Sequence, residues 1–370
     1  QPMTAPTGLI FAMRAQYGAG TSYGIAGSTN YAEAMFQEPN PSWGGSGWTL
    51  DAQMRALRGL CGTSGGSDPT AIRAGTPSLA SYRGILTNYG EGLGGSNATA
   101  PYTTFNQMAF SIDRVAVQAK TRALSSNYTI ELAQDLKAVH GLDAEAELAN
   151  LLSTEILAEI NREIVRSIYY VARAGSQQND LNGKGFYDLD NDSDGRWSAE
   201  RFRGLSFQIE RECNAIAKET RRGRGNFIIT DSDTAAALAM SGFMSLSPAI
   251  APQLTVDDTQ STFAGVLSGK IKVYIDPYSP AGVNFFVCGY KGESPYDAGL
   301  FYCPYVPLQM VRAVDPNTFQ PRIAFKTRYG VVANPYVLNG ATPDGDNLTA
   351  GLNQYYRFTA VTNLHGNTIY

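Results

Sequence analysis

Histidine is nearly absent: His140 and His365 are the two in 370 residues. That nearly excludes multi-histidine metal centres and limits any catalytic triad to one of two bases. Cysteine is scarce as well. Cys61, Cys213, Cys288 and Cys303 are widely spaced with no Cys-x-x-Cys pair, a pattern that fits neither a disulfide framework nor a zinc site. No apolar run approaches the roughly 20 residues of a membrane span. No basic stretch followed by an apolar one is found at the start, so no signal peptide is read. The first residue is Gln1 rather than Met, as expected of a chain matured by proteolysis or lacking an upstream segment. Charge is thin too, at 17% of residues, with 29 basic and 33 acidic side chains and a net charge of −4. A protein that grips phosphates needs a basic face. The longest basic cluster, Arg221-Arg222-Gly223-Arg224, is short, so tight DNA binding is not expected.

What is present is apolar and glycine-rich. The length predicts two or three domains, and 43% hydrophobic residues allow a sizeable core. Glycine (38) and tyrosine (21) are plentiful, which suits a protein made of turns and contact surfaces. Thr7 to Ala15 alternates Leu9, Phe11 and Met13 against Ile10, Ala12 and Arg14, a strand with one strongly apolar face. From Gly18 to Tyr102 the chain is loop-rich, and alternation resumes over Ser111 to Lys120. Two strands flanking such a module predict a long hairpin carrying an insertion.

Helices follow. Thr129 to His140 stops at Gly141, a left-handed cap. Asp143 caps a long helix whose stripe is Leu148, Leu151, Leu152, Ile156, Ile160, Ile164, Ile168 and Val171, about eight turns at 3.6 residues each. Ser198 is expected to cap a third helix with Phe202, Leu205, Ile209, Cys213 and Ile216 on one face. A strand at Asn226 to Thr230 leads into a helix start at Asp231. Strands dominate the remainder: Ile271–Ile275, Asn284–Gly289, Leu300–Tyr305 and Arg322–Val332. Late clustering of strands predicts an α+β chain of mostly antiparallel character.

Four motifs carry possible chemistry. Gly62-Thr63-Ser64-Gly65-Gly66 satisfies the nucleophile-elbow pattern but lacks the strand and helix that would hold Ser64 exposed, and reads as a loop. Asp190-x-Asp192-x-Asp194-Gly195 alternates carboxylates as calcium loops do. Position twelve is Arg201, however, and Glu200 falls one residue early. No metal is assigned: the candidate set is Asp190, Asp192 and Asp194, and an arginine (Arg196, Arg201 or Arg203) is the favoured counter-charge. Gly265 to Lys270 is one residue short of a phosphate-binding loop. The Arg221–Arg224 cluster is open between DNA, a neighbouring subunit and a solvated helix end. No cofactor is called for, and no catalytic residue is named.

Several strings, in order, resemble the major capsid proteins of T-even-type myoviruses. They are Pro2-Met3 with Pro6-Thr7-Gly8, Thr129 through Gly141, Thr154-Glu155-Ile156 through Glu163, Gly225-Asn226-Phe227-Ile228-Ile229 and Phe263 through Leu267. Tyr274-Ile275-Asp276, Gly289-Tyr290-Lys291-Gly292, Asp297-Ala298-Gly299 and Phe325 through Gly330 complete the set. Nearly the whole chain is covered, least between Gly18 and Tyr102, and the glycine-rich wording points to relatives that infect cyanobacteria. The resemblance implies an HK97-like α+β capsid fold with a long spine helix. It implies extended-loop arms at residues 1–17 and 106–124 and an insertion domain at 18–105. A peripheral domain at 125–225 and 311–370 and an axial domain at 226–310 follow from the same analogy.

The implied role is a non-enzymatic shell subunit forming hexamers of an icosahedral head around double-stranded DNA, assembled in the host cytoplasm without a membrane. The implied partners are its own copies, a vertex protein, portal, scaffold, maturation protease and decoration proteins. Three other readings stand beside it: a pentameric vertex paralogue, a cellular nanocompartment shell, and a calcium-dependent secreted hydrolase using Ser64.

Overall fold

The computed structural model describes residues 2–17, 34–35, 87–92, 108–176, 184–193, 197–246, 262–280, 282–336 and 348–364. The chain divides into two units, Phe11–Asp113 and a larger one made of Gln1–Ile10 with Arg114–Tyr370.

Period-two sequences make the first hairpin. Strands β1 (Thr7–Tyr17) and β2 (Met108–Gln118) form a two-stranded sheet. In the smaller unit Phe11, Met13, Met108, Phe110 and Ile112 are exposed, Ala12 is buried, and Arg14 pairs with Asp113 at 2.9 Å. The row Leu9, Phe11 and Met13, the more apolar by sequence, therefore faces outward. A lone ribbon has nothing of its own to cover both faces. The smaller unit also holds a short helix α1 (Thr87–Glu91).

In the larger unit, helix α2 (Ile130–His140) starts on the Thr129 hydroxyl and ends at Gly141 with φ 67°. Helix α3 (Ala144–Val171) follows, with the Asp143 carboxylate accepting the Glu145 N–H. Its stripe seats on two sheets in succession. The first is antiparallel, in the order β11 (Leu300–Val314), β12 (Pro321–Ala333), β3 (Lys120–Asn127). Leu152, Ile156 and Ile160 pack there against Ile323, Phe325 and Tyr329. The second has eight strands: β4 (Ala172–Ala174), β13 (Asn353–Thr362), β10 (Asn284–Gly289), β6 (Phe227–Thr230), β9 (Ile271–Ile275), β8 (Phe263–Leu267) and β7 (Met244–Leu246) in that order, with β5 (Phe186–Asp188) also on β13. Ile168 and Val171 pack there with Phe285, Val287 and Tyr355. Helices α4 (Ser198–Thr220) and α5 (Ser232–Met240) cover the sheet with Leu205, Ile209, Cys213, Ile216 and Leu238.

Three expectations are corrected. Leu151 is 63% exposed and off the buried stripe; it lies 100° round the helix from Leu152, beyond the row spaced by four. Helix α4 begins at Ser198, but its N-cap is Trp197 and no side chain caps it. The expected antiparallel character holds for most pairings, and β6–β9, β13–β4 and β13–β5 in the eight-stranded sheet are the parallel ones. Strand β11 runs fifteen residues rather than stopping at Tyr305. Pairing also crosses two expected boundaries, because β3 joins β12 and β13 joins β10.

At the changeover between the sheets, α3 carries two adjacent charged residues. Arg162 donates to both oxygens of buried Asp276 at 2.7 Å, and the Tyr169 hydroxyl donates to the same carboxylate at 2.9 Å. Burial alone would push the Asp276 carboxyl up. The Arg162, Tyr278 N–H and Tyr169 bonds outweigh it and hold the group below the usual range. Glu163 accepts from Arg122 at 2.7 Å and from the Tyr329 hydroxyl, which burial and that bond push up to about 12.

Two outcomes are expected in denaturant unfolding of the unassembled chain. Ile160→Asp buries an unpaired charge and should cost about 3–5 kcal/mol, while exposed Leu151→Asp should cost under about 0.5 kcal/mol. Equal losses would break the assignment of the stripe. A depressed folded pKa means that Asp276 stabilises above the ordinary carboxylate range and loses that contribution as pH falls through the folded value. Asp276→Asn should therefore cost about 3–5 kcal/mol at pH 7 and flatten the stability curve below roughly pH 4. A variant with an unchanged acid limb would remove Asp276 from that role.

Candidate functional site

The sequence motifs do not converge on one site. Ser64 lies outside the described residues, as do Asp194 and Arg196. Asp190 is bonded to Arg201. Asp192 accepts the Asp188 N–H at 2.9 Å. Asp188, beside them, accepts from Asn191 at 2.7 Å, Asn363 at 2.8 Å and the Asp190 N–H at 3.0 Å. Burial would raise its carboxyl, and these donated bonds hold it below the usual range instead. The carboxylates turn to protein donors, and among the described residues no group of three or more His, Cys, Asp or Glu could hold a metal ion.

The near-miss phosphate loop is a hairpin turn. Ser268 (φ 52°) and Gly269 (φ 68°) both lie in the left-handed region, and the Lys270 N–H donates to the Leu267 carbonyl at 3.1 Å. Two positive φ values joining β8 to β9 make a type I′ turn. The arginine cluster turns largely inward. Arg224 pairs with Glu210 at 2.9 Å, and the Arg222 guanidinium lies 3.8 Å over the Tyr336 ring and 3.9 Å from Asp297. Of the three arginines only Arg221, the left-handed C-cap of α4, is exposed.

A cavity of about 470 Å³ runs along α3, lined by Arg122, Glu159, Arg162, Glu163, Arg166 and Tyr170 among others. Arg122 is held by Glu159 and Glu163, and Arg162 by Asp276. Neither a histidine nor a cysteine lines it. Burial raises the thiols of Cys288 and Cys303 above the ordinary range, the first far above it. Protonated and enclosed, both are poor nucleophiles.

What the geometry does bring together is a set of residues that hold shape. The Tyr290 hydroxyl donates to Asp297 at 2.8 Å, with the Arg222 carbonyl at 3.2 Å, and its ring stacks on Tyr355. Burial first, then the Asp297 bond, pushes the Tyr290 hydroxyl up to about 12. A Cβ on Gly289 would stand 2.3 Å from the Phe227 ring, and one on Gly292 would stand 2.2 Å from the Asp297 carboxylate. Both strings, Gly289 to Gly292 and Asp297 to Gly299, are thus close-packing devices between β10 and the segment that enters β11.

A second such group escaped the sequence reading. Glu212, fully buried on α4, accepts from Arg357 at 3.2 Å, Gln208 at 2.8 Å and the Ser176 N–H at 2.9 Å. Arg357 also donates to Glu219 at 2.6 Å. A charged residue inside the Ile209, Cys213, Ile216 stripe was the available signal, and a buried charge of this kind requires a partner.

These groups hold and position the segments that carry them. A family model described as "Major capsid protein Gp23" matches residues 1–361. The chain belongs to this major capsid protein family. The major capsid protein of Enterobacteria phage T4 is 37% identical over 95% of this chain and 74% of its own length. The capsid vertex protein of the same phage is 31% identical over 62% of this chain and 53% of its own length. Among solved structures the chain is similar to the capsid of Myoviridae Phage XM1, at 7% identity and a TM-score of 0.44, over 96% of this chain and 86% of that one. As a member of the Gp23 family the chain is a structural subunit of a tailed-phage capsid, a virion component with an α+β fold.

If Asp188 is a self-contained brace in this capsid subunit, chelation should leave melting unchanged. Asp188→Asn should lower stability by about 1–2 kcal/mol through lost acceptor strength. A melting temperature that falls on adding EDTA, with the fall abolished by Asp192→Asn, would assign the loop to calcium.

Proposed function

We propose that this chain is the hexamer-forming subunit of an icosahedral head that encloses double-stranded DNA, and that it is not an enzyme. The observation that carries the hexamer reading is the breadth of the match. Similarity to a major capsid protein spans 95% of the chain, whereas similarity to a vertex protein spans 62%. Self-association is supported by the hairpin row Phe11, Met13, Met108, Phe110 and Ile112, since contiguous exposed apolar rows mark interaction surfaces. DNA is enclosed rather than read: Arg222 and Arg224 are engaged within the subunit, and the net charge is negative.

In this reading residues 1–17 and 106–124 are the extended-loop arms and 18–105 the inserted domain. Residues 125–225 with 311–370 form the peripheral domain, and 226–310 the axial one. Continuity of the eight-stranded sheet through β13 and β10 supports a stiff join between the last two. The vertex protein, portal, scaffold, maturation protease and decoration proteins are the partners that the family reading adds.

Electron microscopy of particles assembled from the purified chain tests the proposal. Closed shells built of sixfold capsomers are expected. Isolated fivefold rings, or no assembly under any condition, would overturn it.

A further inference from the structure

Helix α4 meets an inner strand of the eight-stranded sheet through two thiols. Cys213 lies on the buried stripe of α4. Cys288 lies on β10, where Phe286 and Cys288 pack with α4 while Phe285 and Val287 pack with α3. Both cysteines are fully enclosed, and both are free thiols.

The two sulfurs meet at one turn of the helix. The Cys288 thiol donates to the Ile209 carbonyl at 4.0 Å. In an α-helix that carbonyl also accepts from the residue four positions on, which here is Cys213. The sulfur of β10 therefore sits at the turn of α4 that carries the other one, and the two thiols are in hydrogen-bonding contact. Backbone crowds the pair as well, since a Cβ on Gly225 would stand 2.7 Å from the Cys213 sulfur. The neighbours are mostly hydrocarbon, among them Ile209, Ile216, Ile228 and Phe286. Cys303 belongs to a different cluster, on β11.

We propose that Cys213 and Cys288 form a redox modification site, oxidised to a disulfide that fastens α4 to β10 once the subunit is outside a reducing cytosol. Disulfides persist in oxidising surroundings, and a virion component passes from one kind of surroundings to the other. The proposal goes beyond the capsid reading and does not depend on how copies assemble.

The enclosure selects the oxidant. A mixed disulfide with a bulky thiol carrier has no room at this interface, whereas hydrogen peroxide is small. One cysteine, as thiolate, attacks a peroxide oxygen; the O–O bond breaks, water leaves and a sulfenic acid remains. The second sulfur then bonds to the first, and the displaced hydroxide leaves as water with the second thiol's proton. Two thiols have lost two electrons and two protons, and peroxide has become two waters. Burial pushes the Cys288 thiol far up, so the reaction is slow and the pair stays reduced through brief exposure.

The test uses purified full-length chain incubated with hydrogen peroxide, with and without urea below the unfolding transition. Of the four thiols, two should be lost on counting after denaturation. The intact mass should fall by two hydrogen atoms, and a digest should yield a peptide pair joining Cys213 to Cys288. The joined form should melt about 5 °C higher, and dithiothreitol should reverse the rise. Cys303→Ala should keep both the link and the shift, and Cys213→Ala should lose both. The digest of the unsubstituted chain decides the matter even where Cys213→Ala fails to fold. Four reactive thiols in both arms, added oxygen in place of lost hydrogen, a link through Cys61 or Cys303, or a link with unchanged melting would each overturn the proposal.

Discussion

Everything in the larger unit is referred to one helix that must serve two sheets. Helix α3 has 28 residues, about 42 Å at 1.5 Å each, longer than either sheet can cover alone. Its first half meets β12 through Leu152, Ile156 and Ile160, and its last turns meet β10 and β13 through Ile168 and Val171. Ile164 packs against both clusters. Where the stripe changes sheets an apolar seam alone would permit sliding. Arg162 and Glu163, neighbours in sequence but 100° apart on the helix, remove that freedom. One is held by Asp276 behind β9 and the other by Arg122 and Tyr329 on β3 and β12. Non-directional burial supplies the adhesion, and directional charge pairs supply the register.

The same division of labour recurs on the far face of the eight-stranded sheet. Glu212 and Arg357 are both enclosed, so their Coulomb attraction is set against a large desolvation cost and the pair adds little net stability. Its effect is to fix position. With Gln208, Ser176 and Glu219 as further partners, Arg357 can lie opposite α4 in one register only. A Cβ on Gly175 would stand 2.3 Å from the Thr359 hydroxyl, so the chain leaving β4 is held tight against β13 as well. A subunit repeated many times in one shell has more use for a single shape than for a few extra kcal/mol.

Much of this was legible in the sequence where periodicity was strong and caps were present. Thr129, Gly141, Asp143 and Asp231 lie where capping chemistry puts them, and the row from Leu152 to Ile168 is buried or nearly so. Leu151 misled because hydropathy records that a side chain is apolar, not which of two adjacent directions the partner sheet occupies. Strand β13 was not recognised: Asn353 to Thr362 is buried on both faces, so alternation is lost, and its one charge looks like surface until Glu212 is seen opposite. In the first hairpin the more apolar row, Leu9, Phe11 and Met13, faces out, and alternation alone fixes the two faces of a strand without saying which one is covered. The acidic loop was readable as a cluster, but its bonding partner at residue 363 is 175 positions from Asp188, beyond any local rule.

An assembling protein must associate through chosen faces without polymerising through its sheet edges. Among the described residues the three-stranded sheet ends at β11 and β3, and each edge is disarmed differently. Strand β11 carries Pro304 and Pro307 in a stretch where its pairing with β12 shifts register twice, between Pro304 and Val306 and between Val306 and Gln309. Proline lacks the N–H that an incoming strand would need, and the irregularities twist the edge away. Strand β3, at the other edge, is short and polar, with Lys120, Thr121, Ser125 and Asn127 exposed. Apolar side chains are exposed elsewhere, among them Phe11, Met13 and Phe110 on the ribbon and Trp197 and Phe207 near α4, and any contact made there uses side chains rather than backbone ladders. Side-chain contacts are specific in geometry and stop when their face is filled, whereas strand addition leaves a new edge after every step. A closed shell requires the first kind of growth and must suppress the second.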